Sequence, residues 1–179
     1  MIGADAPTPG EASGSPTSGS AGPAPSGQQW EITYREQRAV IVQIGGGIRS
    51  YSAGGRDVLD GYAADEMCSA GRGQVLIPWP NRVKDGRYRF DGRHHQLALT
   101  EPEHSNAIHG LVRWAPWTGS HIETDRVVVA HALHPQPGYP YFLQLSIGYR
   151  LSADGLRVRT AARNFGSTSC PFGSGAPPT

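Results

Sequence analysis

The sequence is poor in the features that mark several large classes of protein. It has two cysteines in 179 residues, Cys68 and Cys170, and no CxxC pair, which argues against a zinc site or a disulfide framework. No apolar run approaches the ~18 residues that span a bilayer. The N-terminus lacks the basic and apolar pattern of a secretory signal. We therefore expect a cytoplasmic protein with no membrane partner.

Excess charge of one sign is missing as well, since 16 Lys and Arg oppose 15 Asp and Glu. A balanced chain has no broad electrostatic attraction for nucleic acid, which we therefore exclude as a partner. Glycine and proline are abundant instead, at 24 and 15 residues. They are concentrated in residues 1–29, which contain no aromatic residue and cannot bury enough apolar surface to order. We predict a disordered segment over 1–29 and one folded domain over 30–179.

No long stretch repeats apolar residues at the helical spacing. Short segments alternate apolar and polar residues instead, which is typical of half-buried strands. The clearest runs over 142–151, and the Asp154-Gly155 pair turns it into a second run, because a tight hairpin needs residues that tolerate positive φ. Asp-Gly also occurs at 85–86 and 91–92. Further strands are predicted at 30–34, 38–44, 48–53, 94–99 and 126–133. The fold class is all-β, an antiparallel β-sandwich or barrel-like sheet.

Two segments differ from plain strands and turns. In LIPWPNRV (76–83) two prolines bracket Trp79, and this stiff segment presents Asn81 and Arg82. An aromatic face beside fixed donors suits a sugar, although an edge-strand corner with a surface arginine explains the segment equally well. In NAIHGL (106–111), His109 precedes Gly110, which would allow close approach to a ligand. Its imidazole suits proton transfer near neutral pH, but a lone histidine is more often structural.

Together these segments resemble the aldose 1-epimerase (galactose mutarotase-like) family. The matching pieces, in order, are LIPWPNRV (76–83), GRYRFDG (86–92), NAIHGLVRWAPW (106–117), GYPY (138–141), YRLSADGL (149–156) and AARNFGSTSCPFGSG (161–175). The resemblance implies a large antiparallel β-sandwich that binds a sugar on one sheet face. This chain would carry roughly its first half.

The resemblance also implies a reaction, the interconversion of α and β anomers of an aldohexose such as glucose or galactose. In the family a glutamate takes the proton of the anomeric hydroxyl and a histidine protonates the ring oxygen, with no metal or organic cofactor. By motif match, Arg82 would bind sugar hydroxyls near the ring oxygen, with Asn81 beside it. His109 would assist at the ring oxygen or hold a hydroxyl.

The same resemblance implies that this chain lacks two proton carriers. The family's Pro-Phe-Gly-x-Gly segment continues into x-His-Pro-Tyr, whose histidine is the general acid, and Pro177 occupies that position here. The general-base glutamate would follow after the last residue, so we expect the chain alone to be inactive. A sandwich cut after its first half would also expose an unpaired strand edge and the apolar face of 143–151, and self-associate through such edges.

Three other interpretations stay open. The chain could be an inert remnant, or a relative that acts on hexose 6-phosphates with the help of further cations. It could also be a sugar-binding module without catalysis, which would use Arg82, His109 and tryptophans. The tryptophans available are Trp79, Trp114 and Trp117, and the spare cations for a phosphate are Arg72, Arg87, Arg89 and Arg113.

Overall fold

Residues 24–177, which the computed structural model describes, form twelve strands and one 3₁₀ turn at Pro102–His104. The strands are β1 (Gln29–Tyr34), β2 (Gln37–Val42), β3 (Ile48–Ala53), β4 (Arg56–Asp57), β5 (Arg82–Lys84), β6 (Arg87–Phe90), β7 (Arg93–Gln96), β8 (Asn106–Ile108), β9 (Thr118–Ile122), β10 (Arg126–Leu133), β11 (Leu143–Ser152) and β12 (Gly155–Asn164). All pairs are antiparallel, so the predicted all-β antiparallel fold is confirmed. In this part of the chain, no helix has the length and apolar content needed to cross a bilayer.

Ordered structure begins before the predicted boundary at residue 30. Gln29 opens β1 and pairs with Val42, the N–H of Gly27 donates to the carbonyl of Ala24 at 2.8 Å, and Ser26 is 5% exposed. Residues 24–29 are therefore part of the fold, because paired backbone and a buried side chain tie them to β2. The rest of the segment predicted to be disordered, residues 1–23, lies outside the described residues.

Two four-stranded sheets build most of the molecule, one in the order β1-β2-β3-β4 and the other β12-β11-β10-β9, and two small pairs, β5-β8 and β6-β7, complete it. The Asp91-Gly92 hairpin is confirmed, since Phe90 pairs with Arg93 around it and both turn residues have positive φ. Asp85-Gly86 also turns the chain with positive φ. It forms a corner rather than a hairpin, because β5 pairs with β8 and β6 with β7.

The core lies between the two large sheets. In β11 the five inward residues are 0–2% exposed: Leu143, Leu145, Ile147, Tyr149 and Leu151. They share one buried cluster with Trp30, Ile32 and Ile41 of the first sheet. The expectation that this face would be left uncovered is therefore wrong, because β1 and β2 of the same chain cover it.

The edge strand β12 is the part that stays open. It is the outermost strand of its sheet among the described residues. Its residues from Arg157 to Arg163 are all exposed, and Val158 is 46% exposed although its β11 partner, Tyr149, is buried. Among the described residues, the unpaired strand edge predicted from sequence is therefore the edge of β12. The apolar face of β11, the neighbouring strand, is buried.

Candidate functional site

The pairing of β5 with β8 brings Asn81, Arg82 and His109 together. Arg82, the first residue of β5, pairs with Ile108, the last residue of β8. Asn81 therefore precedes one strand at the point where His109 follows the other. The backbone N–H of His109 donates to the carbonyl of Asn81 at 2.9 Å. Two motifs that are well separated in sequence thus meet at one end of a short two-stranded ladder.

Asn81 and His109 both have left-handed backbone conformations, with φ of 58° and 64°. Asparagine tolerates this region, because its short amide side chain can bond to nearby backbone. For a histidine such a conformation costs on the order of 1–3 kcal/mol and persists only where the surroundings impose it. Strain of this kind clusters at functional sites. His109 shares the conformation with Arg35, Ala70 and Ser105. The strain therefore supports a role for His109 only together with its position beside Asn81 and Arg82.

Gly110 is required for packing. Its φ is 73°, and a Cβ at this position would lie 2.1 Å from the carbonyl oxygen of Ile77. The next residue, Leu111, donates its N–H to that oxygen at 2.7 Å. Gly110 therefore lets the chain cross Ile77 and fixes the backbone that carries His109, and its role in the approach of a ligand stays a prediction.

Glu101 holds the guanidinium of Arg82 in a two-point ion pair. Arg82 Nε lies 2.7 Å from Glu101 Oε2 and Arg82 Nη2 lies 2.7 Å from Oε1. Asn106 Nδ2 donates to Oε2 at 2.9 Å. The hydrogen bonds from Arg82 and Asn106 lower the pKa of Glu101 to about 2, so its carboxylate stays ionised at any ordinary pH. A two-point contact of this kind fixes the orientation of the guanidinium and also strengthens the interaction. Some N–H groups of Arg82 stay free to donate to a ligand.

Sequence reasoning missed Glu101. Its contact with Arg82 spans 19 positions and depends on the β5–β8 ladder, and no motif spacing links the two residues. Backbone hydrogen bonds in both directions also tie Glu101 to Asn106, which places the carboxylate under the guanidinium.

His109 is neutral at pH 7. Burial lowers its pKa first, and the positive charges of Arg113 and Arg82 lower it further, against a smaller opposite effect of Glu101. Its Nδ1 is buried and has no hydrogen-bond partner within residues 24–177. Most buried polar atoms in native proteins have a partner, so this nitrogen is one that a ligand or a water would satisfy.

A depression of about 570 Å³ lies beside His109. Its walls are Thr100, Ile108, Gly110, Leu111, Arg113 and Trp114. Trp114 is 46% exposed, and the guanidinium of Arg113 lies 5.7 Å from the centre of its ring. An exposed aromatic face and a cation form a mixed lining of the kind that small polar ligands with apolar faces require. His109 itself is not part of this lining, although its chain neighbours Ile108 and Gly110 are.

The other two tryptophans considered from sequence lie elsewhere. Trp117 is fully buried in the core, so its assignment as a sugar contact is wrong, because Gly46 and the core close over its ring. Trp79 is half-buried and lines a separate apolar pocket of about 310 Å³ with Tyr88, Tyr139 and Phe172. Of the three, Trp114 is the one that lines the depression with Ile108 and Gly110.

Of the four arginines considered from sequence as contacts for a phosphate, three do not line the depression. Arg72 donates to Asp60, Ser69 and the Gly61 carbonyl, and Arg87 donates to Gln96. Arg89 lies on the β6–β7 hairpin and does not line the depression. Arg113 is the member of the set that lines the depression.

One group of side chains in the described region has ligand atoms close enough for a metal ion, namely Glu101, Glu103 and His104 within 4.8 Å of one another. Both oxygens of Glu101 already accept from Arg82, and Oε2 accepts from Asn106 as well. A cation there would have to displace the guanidinium. The donor set therefore suits the ion pair rather than a metal.

Comparison with known proteins identifies relatives over nearly all of the described residues. The family model "Aldose 1-epimerase" matches residues 28–178. YihR, an uncharacterized protein of Escherichia coli K12, is 36% identical over 154 residues, which are 86% of this chain and 50% of that protein. The chain thus spans about half the length of this curated relative.

Solved structures give the same fold. A putative aldose 1-epimerase of E. coli K12 has a TM-score of 0.71 at 21% identity, over 82% of this chain and 50% of that one. An aldose epimerase homologue of C. elegans has a TM-score of 0.68 at 17% identity, over 81% and 46%. At these identities the likeness concerns the fold alone.

Proposed function

This chain belongs to the aldose 1-epimerase family, and from that membership we propose that Arg82, Asn81 and His109 bind an aldohexose such as glucose or galactose. One observation carries the proposal: Glu101 fixes the guanidinium of Arg82 next to a strained histidine whose Nδ1 has no partner in the described chain. Such an arrangement holds donors ready for hydroxyl groups. The exposed ring of Trp114 supplies an apolar surface for the C–H face of a sugar.

In this proposal each residue has a distinct task. The free N–H groups of Arg82 donate to hydroxyls near the ring oxygen, and Asn81 lies beside them. His109, neutral at pH 7 because its pKa is lowered, can accept from a hydroxyl on one nitrogen or donate to an oxygen from the other. It can therefore assist at the ring oxygen without carrying a full charge in the unliganded site.

The reaction we assign to the whole-length protein is exchange of the anomers by ring opening, with a general base at the anomeric hydroxyl and a general acid at the ring oxygen. The family resemblance puts Pro177 at the general-acid position, and proline has no proton to give. We therefore propose that this chain alone binds the sugar without accelerating exchange. The free thiols of Cys68 and Cys170 support a reducing, cytoplasmic setting.

The first test measures sugar binding by nuclear magnetic resonance. We expect D-galactose or D-glucose to shift the amide signals of Asn81 and His109 in a saturable way. Arg82→Ala should weaken binding by about tenfold to a hundredfold, because hydrogen bonds from a charged donor are lost. Arg89→Ala is the matched control, since Arg89 is exposed on the separate β6–β7 hairpin, and it should leave affinity unchanged.

Two further measurements separate the alternatives. Polarimetry should show anomer exchange at the spontaneous rate, and faster exchange would contradict the assignment of binding without catalysis. A chain that unfolds cooperatively but takes up neither sugar would instead support an inert remnant. The 6-phosphate of either sugar should bind more tightly than the sugar itself only if Arg113 meets the phosphate, a gain that Arg113→Ala would remove.

A further inference from the structure

The strand that leads into His109 is bonded along both of its sides. β5 pairs with one side of β8, and the segment 100–101 lies along the other. The backbone N–H groups of Thr100 and Glu101 both donate to the carbonyl of Asn106 at 3.0 Å, and the N–H of Asn106 donates in return to the carbonyl of Glu101 at 3.1 Å. The segment 100–101 therefore acts as a second neighbour of β8.

The hydroxyl of Thr100 continues this contact where backbone pairing stops. Ile108, the last residue of β8, donates its N–H to Thr100 Oγ1 at 2.9 Å. The same hydroxyl donates to the carbonyl of Ile108 at 3.3 Å. Ile108 is 8% exposed, and buried peptide groups require a partner. One side chain thus contacts both backbone polar groups of the residue that precedes His109.

The peptide bond between Ile108 and His109 is held at both of its polar ends. Its carbonyl accepts from Thr100 Oγ1, and its N–H donates to the carbonyl of Asn81 at 2.9 Å. The next backbone angle is the positive φ of His109, 64°, which persists only where the surroundings impose it. With the plane of the preceding peptide fixed, this φ sets the direction in which the imidazole leaves the backbone.

A tight loop fixes Thr100 itself relative to β8. Glu101 and Asn106 form an isolated antiparallel bridge that closes the loop. Inside the loop, Pro102 begins the 3₁₀ turn, and Ser105, with φ of 55°, donates its N–H to the carbonyl of Pro102 at 3.0 Å. Proline also restricts the backbone of the residue before it. The hydroxyl of Thr100 is therefore carried by a short, internally bonded segment.

We propose that Thr100 is a positioning residue for His109, because its hydroxyl fixes the peptide bond from which the imidazole projects. Its neighbour Glu101 has the corresponding role for Arg82. Two consecutive residues would then orient the guanidinium and the imidazole of the candidate site. The effect of Thr100 on the imidazole follows from the backbone contacts alone, whereas its effect on sugar binding rests on the proposed function.

Thr100→Val tests this role, since valine has a similar shape and no hydroxyl. We expect the pKa of His109, followed by nuclear magnetic resonance, to rise towards its ordinary value, because a released imidazole becomes more hydrated. The charged groups that shift this pKa, Arg82, Arg113 and Glu101, are unchanged in the variant. Affinity for D-galactose should fall about threefold to tenfold.

Two further variants give the controls. Thr100→Ser keeps the hydroxyl and should keep both the His109 titration and the galactose affinity of the unchanged protein. Thr118→Val removes the hydroxyl of an exposed threonine at the start of β9 and should alter neither. A Thr100→Ser protein that behaves like Thr100→Val would overturn the proposal, because the hydroxyl would then not be the group that matters.

The unchanged protein also supplies a measurement that needs no variant. The amide hydrogen of Ile108 should exchange slowly with water, and exchange as fast as in an unstructured peptide would overturn the proposal. Weaker galactose binding by Thr100→Val with an unmoved His109 titration would overturn it too, since the exposed hydroxyl would then contact the sugar itself. A shifted titration in Thr100→Val, with no galactose binding by the unchanged protein, would support the positioning role and contradict the proposed function.

Discussion

At the scale of single residues, the candidate site depends on Glu101, because it fixes the direction of the Arg82 guanidinium. We expect Glu101→Gln to keep the fold but to release Arg82, since one charged acceptor becomes a neutral amide. The Nε–H signal of Arg82 should then exchange faster with water, and galactose affinity should fall by about threefold to tenfold.

The control for this change is Glu103→Gln, which alters an exposed acid two positions away with no ion pair to Arg82 in the described chain. It should leave both the Arg82 signal and the affinity unchanged. Equal effects of the two variants would mean that general negative charge, and not the two-point contact, orients Arg82. Faster exchange of the Arg82 Nε–H in Glu101→Gln with no change in affinity would show that sugar binding does not depend on the ion pair.

At the scale of elements, β11 shows that the chain covers its own central strand. Leu145 is fully buried within the cluster that includes β1 and β2 residues. We expect Leu145→Ala to lower the free energy of unfolding by about 2–5 kcal/mol, through lost burial and the cavity left behind. Urea denaturation followed by tryptophan fluorescence measures the change.

The neighbouring edge strand provides the comparison. Val158 lies on the same sheet face but is 46% exposed, so Val158→Ala should change the free energy of unfolding by about 0.5 kcal/mol or less. If Leu145→Ala lowered the free energy of unfolding equally little, the first sheet would not pack against β11 in solution.

Prediction from sequence succeeded best at this scale. Each of the five further strand segments contains a strand, and the 142–151 run and its hairpin partner became β11 and β12. Alternation and turn residues are local signals, which is why these elements could be read from the chain. β9 was missed, because its sequence TGSHI does not alternate apolar and polar residues, and only its pairing with β10 makes it a strand.

At the scale of the whole molecule, stability should decrease as the pH falls. The folded pKa of His109 lies below its ordinary 6.5, so the folded state loses stability as the pH falls below 6.5, where the unfolded chain takes up the proton first. Glu101 has a folded pKa of about 2 against an ordinary 4.5. Its contribution is complete above pH 4.5 and is lost as the pH falls towards about 2.

Urea denaturation at a series of pH values tests this expectation. Between about pH 5 and about pH 3 the stability of the unchanged protein should fall more steeply than that of Glu101→Gln, which has no carboxyl group to titrate at this position. Parallel curves for the two proteins would show that the Glu101–Arg82 contact is absent or is fully screened in solution.

By itself, the sequence determined the longer strands and the residues of the candidate site. Alternation predicted those strands, turn residues predicted the hairpins at 91–92 and 153–155, and two motifs singled out Asn81, Arg82 and His109, all through signals that lie within a few residues. Only the tertiary structure decided that Glu101 meets Arg82, that Trp117 belongs to the core and that β12, not β11, is the outermost strand of its sheet among residues 24–177. These facts depend on which strands pair and on which residues of the two sheets pack against each other. Such long-range contacts cannot be predicted from a local sequence pattern.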